Sequence, residues 1–349
     1  MERKRIAVLF GGCSSEYEVS LQSAYNVLNS FPGDKYEPVM IGITKTGDWN
    51  YFAGDIKKIP DDTWCSESDC CPAAVSPNRS EHSIILFRRD GTEKIRIDAA
   101  FPVLHGKNGE DGTVQGVFEL AGIPVVGCGL IASALCMDKY TAHMLADTVG
   151  VKTPRSVLLR KNFTEQALYS EVSEIGYPVF VKPVKAGSSF GVTKVLGKSE
   201  LLAAVENAFE YDDTVLVEEN ISGFEVSCAV MGNDALETGS LCEIELSDGF
   251  FDFTEKYTHK STKVHIPARV DKETSEKITE DAKKLYKILG CKGFARVDLF
   301  VSESGEIVFN EVNTIPGFTA NSLYPGMFIH KGFTYGQIIE RIIELALEE

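Results

Sequence analysis

The sequence predicts an α/β fold, with α+β character, that is divided into more than one domain. Apolar strand-like runs alternate with a helix in "RIAVLFGG", "EYEVSLQSAYNVLNSF" and "YEPVMIGIT", which is typical of a parallel sheet with helices packed on it. Two later segments have the pattern of β-hairpins and indicate further sheets. The 349 residues also exceed what one hydrophobic core usually serves, so we expect two or three domains.

The domains are predicted in chain order. An N-terminal parallel-sheet domain covers residues 1–127 and includes residues 45–97 as a polar, irregular elaboration. A helix that begins near Ser133 opens a central unit over residues 128–217. The third unit covers residues 218–349. Within it, the apolar positions Ile278, Ala282, Leu285 and Leu289 recur at helical spacing and predict a helix from Thr274 to Leu289.

The composition excludes some classes of partner. A formal charge of -16 and an isoelectric point near 4.9 repel nucleic acids and anionic membranes, so we expect neither as a partner. The apolar run after "MERKR" is too short for a signal peptide, and the longest apolar stretch falls short of the roughly 20 residues of a membrane span. We therefore expect a cytoplasmic protein.

The nine cysteines agree with a reducing compartment, because their number is odd, they are scattered and no C-x-x-C motif occurs. Cys65, Cys70 and Cys71 cluster in one polar segment, but the usual paired spacing of zinc ligands is missing. Reduced thiols are the better interpretation.

A glycine-rich turn stands out in "VKPVKAGSSFGVTKV", residues 181–195. One interpretation is a plain hairpin with Gly187 and Gly191 in its turn. The other is a phosphate site, because small residues let backbone N–H groups approach an anion and lysines such as Lys182 add positive charge. The segment is no Walker A motif, so other residues must decide between the two interpretations.

The strongest chemical signal is the predicted hairpin "FARVDLFVSESGEIVFNEVN", residues 294–313. With Ser304-Gly305 as a two-residue loop, Asp298 faces Glu311. Because side chains alternate along a strand, one face then carries Arg296, Asp298, Phe300, Phe309, Glu311 and Asn313. Opposed carboxylates repel each other unless a cation such as Mg²⁺ lies between them. The alternative is a solvated face on which Arg296 neutralises Asp298, but the apolar residues of this face favour the metal site.

Together, the lysine-flanked turn and the carboxylate pair are the two halves of a Mg-ATP site. Lys139, early in the helix "MDKYTAH", and Lys256, in the loop "GFFDFTEKYTHKS", fit the same site, although each fits a surface position equally well.

Six segments in consistent order resemble one known family. They are "FGGCSSEYEVS", "HGKNGEDGTVQG", "VKPVKAGSSFGVTKV", "EKYTHKS", "GFARVDLF" and "FNEVNTIPGFTANSLYP". These motifs are similar to those of the D-alanine:D-alanine ligases and their vancomycin-resistance relatives, within the ATP-grasp superfamily. The resemblance implies an N-terminal substrate-binding domain followed by two ATP-grasp subdomains, with ATP held between the latter, and a homodimer.

The resemblance also assigns roles to residues. It implies that ATP is bound by Lys139, Lys182, Ser188, Glu218, Glu225 and Lys256. Two Mg²⁺ or Mn²⁺ ions would be held by Asp298, Glu311 and Asn313. The first D-alanine would contact Glu16 and His105, and Arg296 with the backbone of Gly317 would stabilise the oxyanion. Ser322 and Leu323 would contact the second amino acid, and Tyr257, bonded to Ser188 and Glu16, would close the site.

From the residues themselves, Ser15 and Glu18 have capping-box spacing, which predicts Glu16 at a helix N-terminus. The mechanism that the resemblance implies is phosphorylation of the first D-alanine by ATP, followed by attack of the second amine on the acyl phosphate. Acyl phosphates hydrolyse in water, so we expect residues 247–262 to close over the site.

The choice of acceptor is the point where the signals conflict. The overall sequence looks closest to the D-Ala:D-Ser ligases of vancomycin resistance, but such ligases typically carry arginine where this chain has Leu323. Asn321 and Ala320 also stand where the family pattern has histidine and serine. We predict D-Ala-D-Ala as the main product, with D-serine as the alternative acceptor. A nucleotide-binding sensor without activity is the alternative from another class, and the complete set of lysines and carboxylates counts against it.

Overall fold

The computed structural model describes residues 3–66, 68–187, 189–246 and 262–348. Three predicted site residues lie outside the described residues: Ser188, Lys256 and Tyr257. The predicted closing segment, residues 247–262, also lies outside them except for its last residue.

The N-terminal sheet contains a parallel part and an antiparallel part. Its strands are β1 (Lys4–Gly11), β2 (Tyr36–Ile43), β3 (Trp49–Phe52), β4 (Cys70–Val75), β5 (Ser83–Arg88), β6 (Gly91–Arg96) and β7 (Ala99–Pro102). Their spatial order is β6-β5-β4-β3-β2-β1-β7. β1 runs parallel to both β2 and β7, as the alternating pattern predicted. The other neighbouring strands, from β2 through β3, β4 and β5 to β6, pair in antiparallel fashion.

The prediction of an irregular elaboration over residues 45–97 is therefore wrong, and the N-terminal sheet is mixed rather than purely parallel. The segment appears polar because its outermost strand, β6, is exposed along almost its whole length. It nevertheless contributes to the core, since the side chain of Trp64 is completely buried against Phe10 and Phe52.

The second sheet is antiparallel and contains the glycine-rich turn. Its strands are β8 (Ser156–Arg160), β9 (Val179–Pro183), β10 (Thr193–Val195) and β11 (Thr214–Glu219), in the order β10-β9-β11-β8. The predicted hairpin is confirmed, because β9 and β10 pair in antiparallel fashion across the turn. The predicted boundary at 217/218 falls inside β11, and the domain boundaries stay predictions.

The third sheet contains the carboxylate hairpin. Its strands are β12 (Gly223–Met231), β13 (Glu237–Thr238), β14 (Cys242–Leu246), β15 (Thr262–His265), β16 (Phe294–Ser302) and β17 (Ile307–Asn313). The main order is β15-β14-β12-β16-β17, and β13 pairs with β12. The long β12 and β16 pair over their whole lengths, from Gly223 opposite Ser302 to Met231 opposite Phe294.

Helices cover these sheets. They are α1 (Tyr17–Asn29), α2 (Thr113–Ala121), α3 (Leu130–Met137), α4 (Lys139–Thr148), α5 (Glu165–Ile175), α6 (Lys198–Ala208), α7 (Lys272–Ile288), α8 (Leu323–His330) and α9 (Tyr335–Leu347). α7 matches the predicted helix, with Ile278, Ala282 and Leu285 completely buried.

The helix predicted to start near Ser133 is in fact two helices. Asp138 has an extended backbone (φ -84°, ψ 93°), and its side chain accepts a hydrogen bond of 2.9 Å from the N–H of Thr141. Asp138 thus ends α3 and caps α4, so that Lys139 becomes the first residue of a new helix.

The C-terminal helices pack against the N-terminal sheet. Residues of α8 and α9, among them Phe328 and Ile342, share one hydrophobic core with Ile6 and Phe101 of β1 and β7. Phe318, just before α8, packs edge-on against Phe101. This shared core brings the segment between β17 and α8 against the N-terminal domain.

Candidate active site

Two neighbouring cavities collect most of the predicted site residues. The first has a volume of about 570 Å³ and is lined by Glu16, His105, Lys139, Arg296, Glu311, Asn313, Gly317, Ser322 and Leu323. The second has a volume of about 480 Å³ and is lined by Lys139, Lys182, Glu218, Glu225 and Glu311. Lys139 and Glu311 line both cavities, so they mark the place where the two cavities meet.

The hairpin of β16 and β17 brings the predicted metal ligands together. Arg296 pairs with Asn313 and Asp298 with Glu311, in the predicted register. Beyond Asp298 the register shifts by one, because Leu299 pairs with Phe309 and Asn310 is the extra residue of a β-bulge.

The bulge corrects two details of the predicted hairpin. The strands end at Ser302 and resume at Ile307, so the connection is longer than a two-residue Ser304-Gly305 loop. Phe309 does not share the face of Asp298, since it is completely buried in the hydrophobic core with Leu299. One extra residue in a strand moves every side chain beyond it to the opposite face of the sheet. A prediction of pairing from loop length alone does not account for such a bulge.

Asp298 is the most heavily bonded of these side chains and is only 1% exposed. Arg296 donates from Nε to Oδ1 (2.8 Å) and from Nη2 to Oδ2 (2.7 Å). Ser227 Oγ donates to Oδ1 (2.6 Å) and Asn313 Nδ2 to Oδ2 (2.7 Å). Burial opposes the charge on Arg296, but the carboxylates of Asp298 and Glu311 outweigh it and raise the pKa of the guanidinium. Arg296 is therefore a fixed cation at the wall of the first cavity.

Lys139 connects three elements of the site. Its side chain is nearly buried, and Nζ lies 3.4 Å from Glu311 Oε2. Nζ also donates to the carbonyl oxygen of Ala186 at 3.0 Å. Since Ala186 precedes Gly187, one ammonium group joins α4, the glycine-rich turn and the carboxylate hairpin.

The second cavity has an ion pair at its inner wall. Lys182 of β9 pairs with Glu218 of β11, and both side chains are almost completely buried. His143, one turn after Lys139 in α4, donates from Nε2 to the carbonyl oxygen of Asn310 (2.8 Å), because a carbonyl can only accept. Burial lowers the pKa of His143, although Glu218 opposes this shift.

His143 is a residue that sequence reasoning missed. Its Nδ1 lies 3.6 Å from Glu218 Oε1, and within the described residues neither atom has a hydrogen-bond partner. Helical spacing from Lys139 was the available signal, since positions i and i+4 share a helix face.

Glu16 lies where the glycine-rich turn meets the N-terminal domain. A Cβ atom at Gly106 would lie 2.1 Å from Glu16 Oε2, and one at Gly187 would lie 3.4 Å from it. The missing side chain at Gly106 therefore lets the backbone approach this carboxylate.

The predicted capping box is not formed. The N-cap of α1 is Glu16 itself, without a side-chain cap hydrogen bond, and Glu18 instead forms an ion pair with Lys45 (2.7 Å). Ser15 lies outside the helix, which begins at Tyr17, and the N–H of Glu16 donates to Ser14 Oγ (3.2 Å). The predicted position of Glu16 at the helix start is correct.

Glu110 also lines the first cavity and was not predicted as a site residue. Its carboxylate accepts the N–H groups of Gly106 (2.8 Å) and Ile315 (3.2 Å). Burial, reinforced by the nearby charge of Glu16, raises the pKa of Glu110, and the two N–H hydrogen bonds oppose this shift. Its position in the motif "HGKNGEDG", four residues after Gly106, was the available sequence signal.

The last wall of the first cavity follows β17. A Cβ atom at Gly317 would lie 2.8 Å from Ser322 Oγ, so this backbone has no room for a side chain. Leu323, the first residue of α8, is buried and presents an apolar side chain to the cavity. Ala320 and Asn321 line the same cavity.

The oxygen-rich hairpin face suits a hard divalent cation. Asp298 and Glu311 are opposite each other, and Asn313, whose amide nitrogen donates to Asp298, adds an amide oxygen as a further candidate ligand. In the described part of the chain, no cluster of three or more His, Cys, Asp or Glu side chains is placed to hold a metal. The donor set here is two carboxylates and one amide, so this result does not conflict with the hairpin site.

Comparisons with known proteins place the chain in one family. Residues 5–128 match the family model of the D-ala D-ala ligase N-terminus and residues 145–344 that of the C-terminus. The chain is 45% identical to the vancomycin B-type resistance protein VanB of Enterococcus faecalis, over 100% of both chains. It is 43% identical to a D-alanine--D-alanine ligase of Caldicellulosiruptor bescii, over 100% of this chain and 96% of that one. The crystal structure of the VanG D-Ala:D-Ser ligase from Enterococcus faecalis superposes with a TM-score of 0.92, at 53% identity, over 99% of this chain and 100% of the other.

The fold and the matched models define an ATP-grasp ligase, which confirms the predicted fold class. The chain belongs to the D-Ala-D-Ala ligase family. Use of ATP and a divalent metal is typical of this family, whose members act on small-molecule substrates. Among the described residues, we find no helix with the length and apolarity that a membrane crossing requires.

Proposed function

We propose that the protein joins two D-alanines to give D-Ala-D-Ala for peptidoglycan precursors, with conversion of ATP to ADP and inorganic phosphate. The family membership supports a ligase of this kind, and the arrangement of the two cavities supports the order of steps. One cavity is lined by lysines and carboxylates suited to a nucleotide, and the other by groups suited to amino acids. Lys139 and Glu311 lie between them, where a phosphoryl group must pass.

In the second cavity, Lys139 and Lys182 neutralise phosphate charge, and Glu218 and Glu225 bind the adenosine part of ATP. Asp298, Glu311 and Asn313 would hold two magnesium or manganese ions, which would supply charge neutralisation for the transferred phosphoryl group. Lys182 pairs with Glu218, and because its ammonium group has three donors it can bind a phosphate oxygen while it keeps this partner. The enzyme thus contributes mainly position and charge.

In the first cavity, Glu16 binds the ammonium of the first D-alanine. The carboxylate of this D-alanine attacks the γ-phosphorus of ATP, the bond to ADP breaks, and an acyl phosphate forms. The amine of the second amino acid then attacks the carbonyl carbon, a proton leaves the nitrogen, and inorganic phosphate departs. Arg296 and the backbone at Gly317 stabilise the oxyanion, because fixed donors act strongly where water is excluded.

The observation that carries the choice of acceptor is Leu323. Its buried, apolar side chain forms the wall beside the acceptor and suits the methyl group of D-alanine. D-serine is the second candidate, since the VanG structure, at 53% identity, is described as a D-Ala:D-Ser ligase. Apolar pockets reject an added hydroxyl only weakly, by about 10² or less, so we expect some D-Ala-D-Ser at high D-serine.

We predict that Leu323→Arg shifts the preference toward D-serine. The guanidinium brings hydrogen-bond donors to the acceptor's side chain and removes the apolar surface that contacts a methyl group. The ratio of kcat/KM for D-alanine to that for D-serine should fall roughly tenfold or more. Steady-state kinetics with each acceptor measures this ratio.

Leu323→Met is the matched control, because it keeps an apolar wall of similar volume and should leave the ratio nearly unchanged. A preference for D-serine in the unmodified protein would make D-serine the natural acceptor. An unchanged ratio in Leu323→Arg would show that Leu323 does not set specificity.

The ligase activity itself is tested by release of ADP. We expect ADP to form from Mg-ATP only when D-alanine is present, with D-Ala-D-Ala in equal amount. ADP release that is independent of D-alanine, or no release at all, would contradict the proposal. A cytoplasmic location and a homodimer belong to the same proposal, and light scattering after gel filtration checks the dimer.

A further inference from the structure

The loop that follows β17, residues 314–322, has no regular secondary structure. Apart from the carbonyl of Ser322, which accepts the N–H of Gly326 at the start of α8, its backbone N–H and C=O groups are outside the sheet and helix ladders and need other partners. This 314–322 loop contains Gly317 and Ser322 and ends at Leu323, so its position sets the acceptor side of the first cavity.

Both backbone polar groups of Ile315 are held by side chains of the N-terminal domain. The N–H of Ile315 donates to Glu110 Oε1 at 3.2 Å. The carbonyl oxygen of Ile315 accepts from His105 Nδ1 at 3.0 Å. Glu110 Oε2 in turn accepts the N–H of Gly106 at 2.8 Å, which ties this carboxylate to the turn that follows His105.

A second point of attachment lies three residues later. The N–H of Phe318 donates to Ser23 Oγ at 3.3 Å, and Ser23 Oγ lies 3.1 Å from His105 Nε2. Tyr335 donates its hydroxyl to the carbonyl oxygen of Phe318. Ser23 lies in α1, the helix whose N-cap is Glu16, and is completely buried.

These contacts fix the protonation of His105. A carbonyl oxygen can only accept, so Nδ1 carries the hydrogen. Burial lowers the pKa of His105, which keeps the ring neutral, and Nε2 then accepts from the hydroxyl of Ser23. Both ring nitrogens are thus occupied by protein groups, whereas the resemblance implied a direct contact of His105 with the substrate.

We propose that Ser23, His105 and Glu110 are positioning residues that clamp the 314–322 loop to the N-terminal domain and so set the geometry of the acceptor site. The proposal rests on the proposed function for the identity of that site. The carbonyl and N–H of Ile315, together with the N–H of Phe318, are the three groups clamped. The helix α1, whose N-cap is Glu16, thereby holds the acceptor wall in place. The two amino acid sites are coupled through these hydrogen bonds rather than through substrate contacts.

The test uses two variants of the clamp in the full-length protein. Glu110→Gln presents one acceptor oxygen, so it can accept the N–H of Gly106 or of Ile315 but not both. Ser23→Ala removes the acceptor of the Phe318 N–H and the donor to His105. Each should raise the Michaelis constant for the acceptor roughly 10-fold, with a much smaller change in the constant for the first D-alanine. Initial rates over a range of D-alanine concentrations resolve the two constants.

The chain offers a matched control for Glu110→Gln in the same turn. Asp111 accepts the N–H groups of Asn108 (2.8 Å) and Thr113 (3.0 Å) without a bond to the 314–322 loop. Asp111→Asn therefore tests the loss of a carboxylate that only supports the turn. It should leave the ratio of the Michaelis constants for the acceptor and for the first D-alanine unchanged.

Hydrogen exchange gives a readout that does not depend on activity. The peptide that contains residues 314–322 should exchange faster in Glu110→Gln and in Ser23→Ala than in the unmodified protein or in Asp111→Asn. If exchange in this peptide and the acceptor constant are unchanged in both clamp variants, the proposal is wrong. If the unmodified protein releases no D-alanine-dependent ADP, the proposed function fails, and the exchange rates still decide whether the clamp exists. Should Glu110→Gln not fold, Ser23→Ala carries the test, because it removes a single oxygen atom.

Discussion

Replacing Glu311 by glutamine is expected to lower kcat by about 10³-fold or more while the fold stays intact. Glu311 lies opposite Asp298, 3.4 Å from the Lys139 ammonium, at the place where the two cavities meet. Glutamine has nearly the same shape, but it removes the charge that holds a divalent cation and orients Lys139. Fixed charges of this kind contribute several kcal/mol to stabilisation of a transition state. Steady-state kinetics at saturating Mg²⁺ measures the effect, and binding of Mn²⁺ followed by electron paramagnetic resonance shows whether a ligand is lost.

Glu306→Gln is the control on the same hairpin. Glu306 is exposed and forms an ion pair with Lys152 at 2.8 Å. It lies in the connection between β16 and β17 and lines neither cavity. Its replacement should change kcat by less than about twofold, since exposed ion pairs contribute about 0–1 kcal/mol. Turnover of Glu311→Gln near that of the unmodified protein would contradict the assignment of Glu311 as a metal ligand.

Replacing Arg296 by alanine is expected to damage both stability and activity. Asp298 would stay buried with only Ser227 and Asn313 as donors, and removal of one partner of a buried ion pair costs about 3–5 kcal/mol of unfolding free energy. The lost oxyanion donor should also lower kcat by about 10²- to 10³-fold. Chemical denaturation measures the first effect, and steady-state kinetics under conditions where the variant is folded measures the second.

Two further variants separate these effects. Arg296→Lys keeps a positive charge beside Asp298 but cannot form two parallel bonds, so we expect most of the stability to return while much of the activity stays lost. Arg88→Ala removes an arginine from an exposed ion pair with Glu93 and should change the unfolding free energy by at most about 1 kcal/mol. Unchanged stability in Arg296→Ala would show that Asp298 does not need this partner.

Local rules predicted the parts of the site that lie within one element or one hairpin. The opposition of Asp298 and Glu311 followed from pairing along two adjacent strands, and the glycine-rich hairpin followed from its turn residues. The same rules failed where the backbone departs from regularity. The bulge at Asn310 moved Phe309 to the opposite face, and the break at Asp138 divided one predicted helix into two. Bulges and breaks depend on the packing of neighbouring elements, which a single segment does not contain.

Sequence by itself determined the fold class, the family, and the chemical character of the site, because strand alternation, turn residues and six motifs are all local properties. Only the tertiary structure decided how those motifs meet. Strands β3 to β6 extend the N-terminal sheet, Trp64 between β3 and β4 is buried against Phe10, and Ile315 is held by Glu110 and His105, more than 200 residues earlier in the chain. Contacts over such separations arise from the shared core of the N-terminal sheet with the C-terminal helices, and no periodicity within one segment records them.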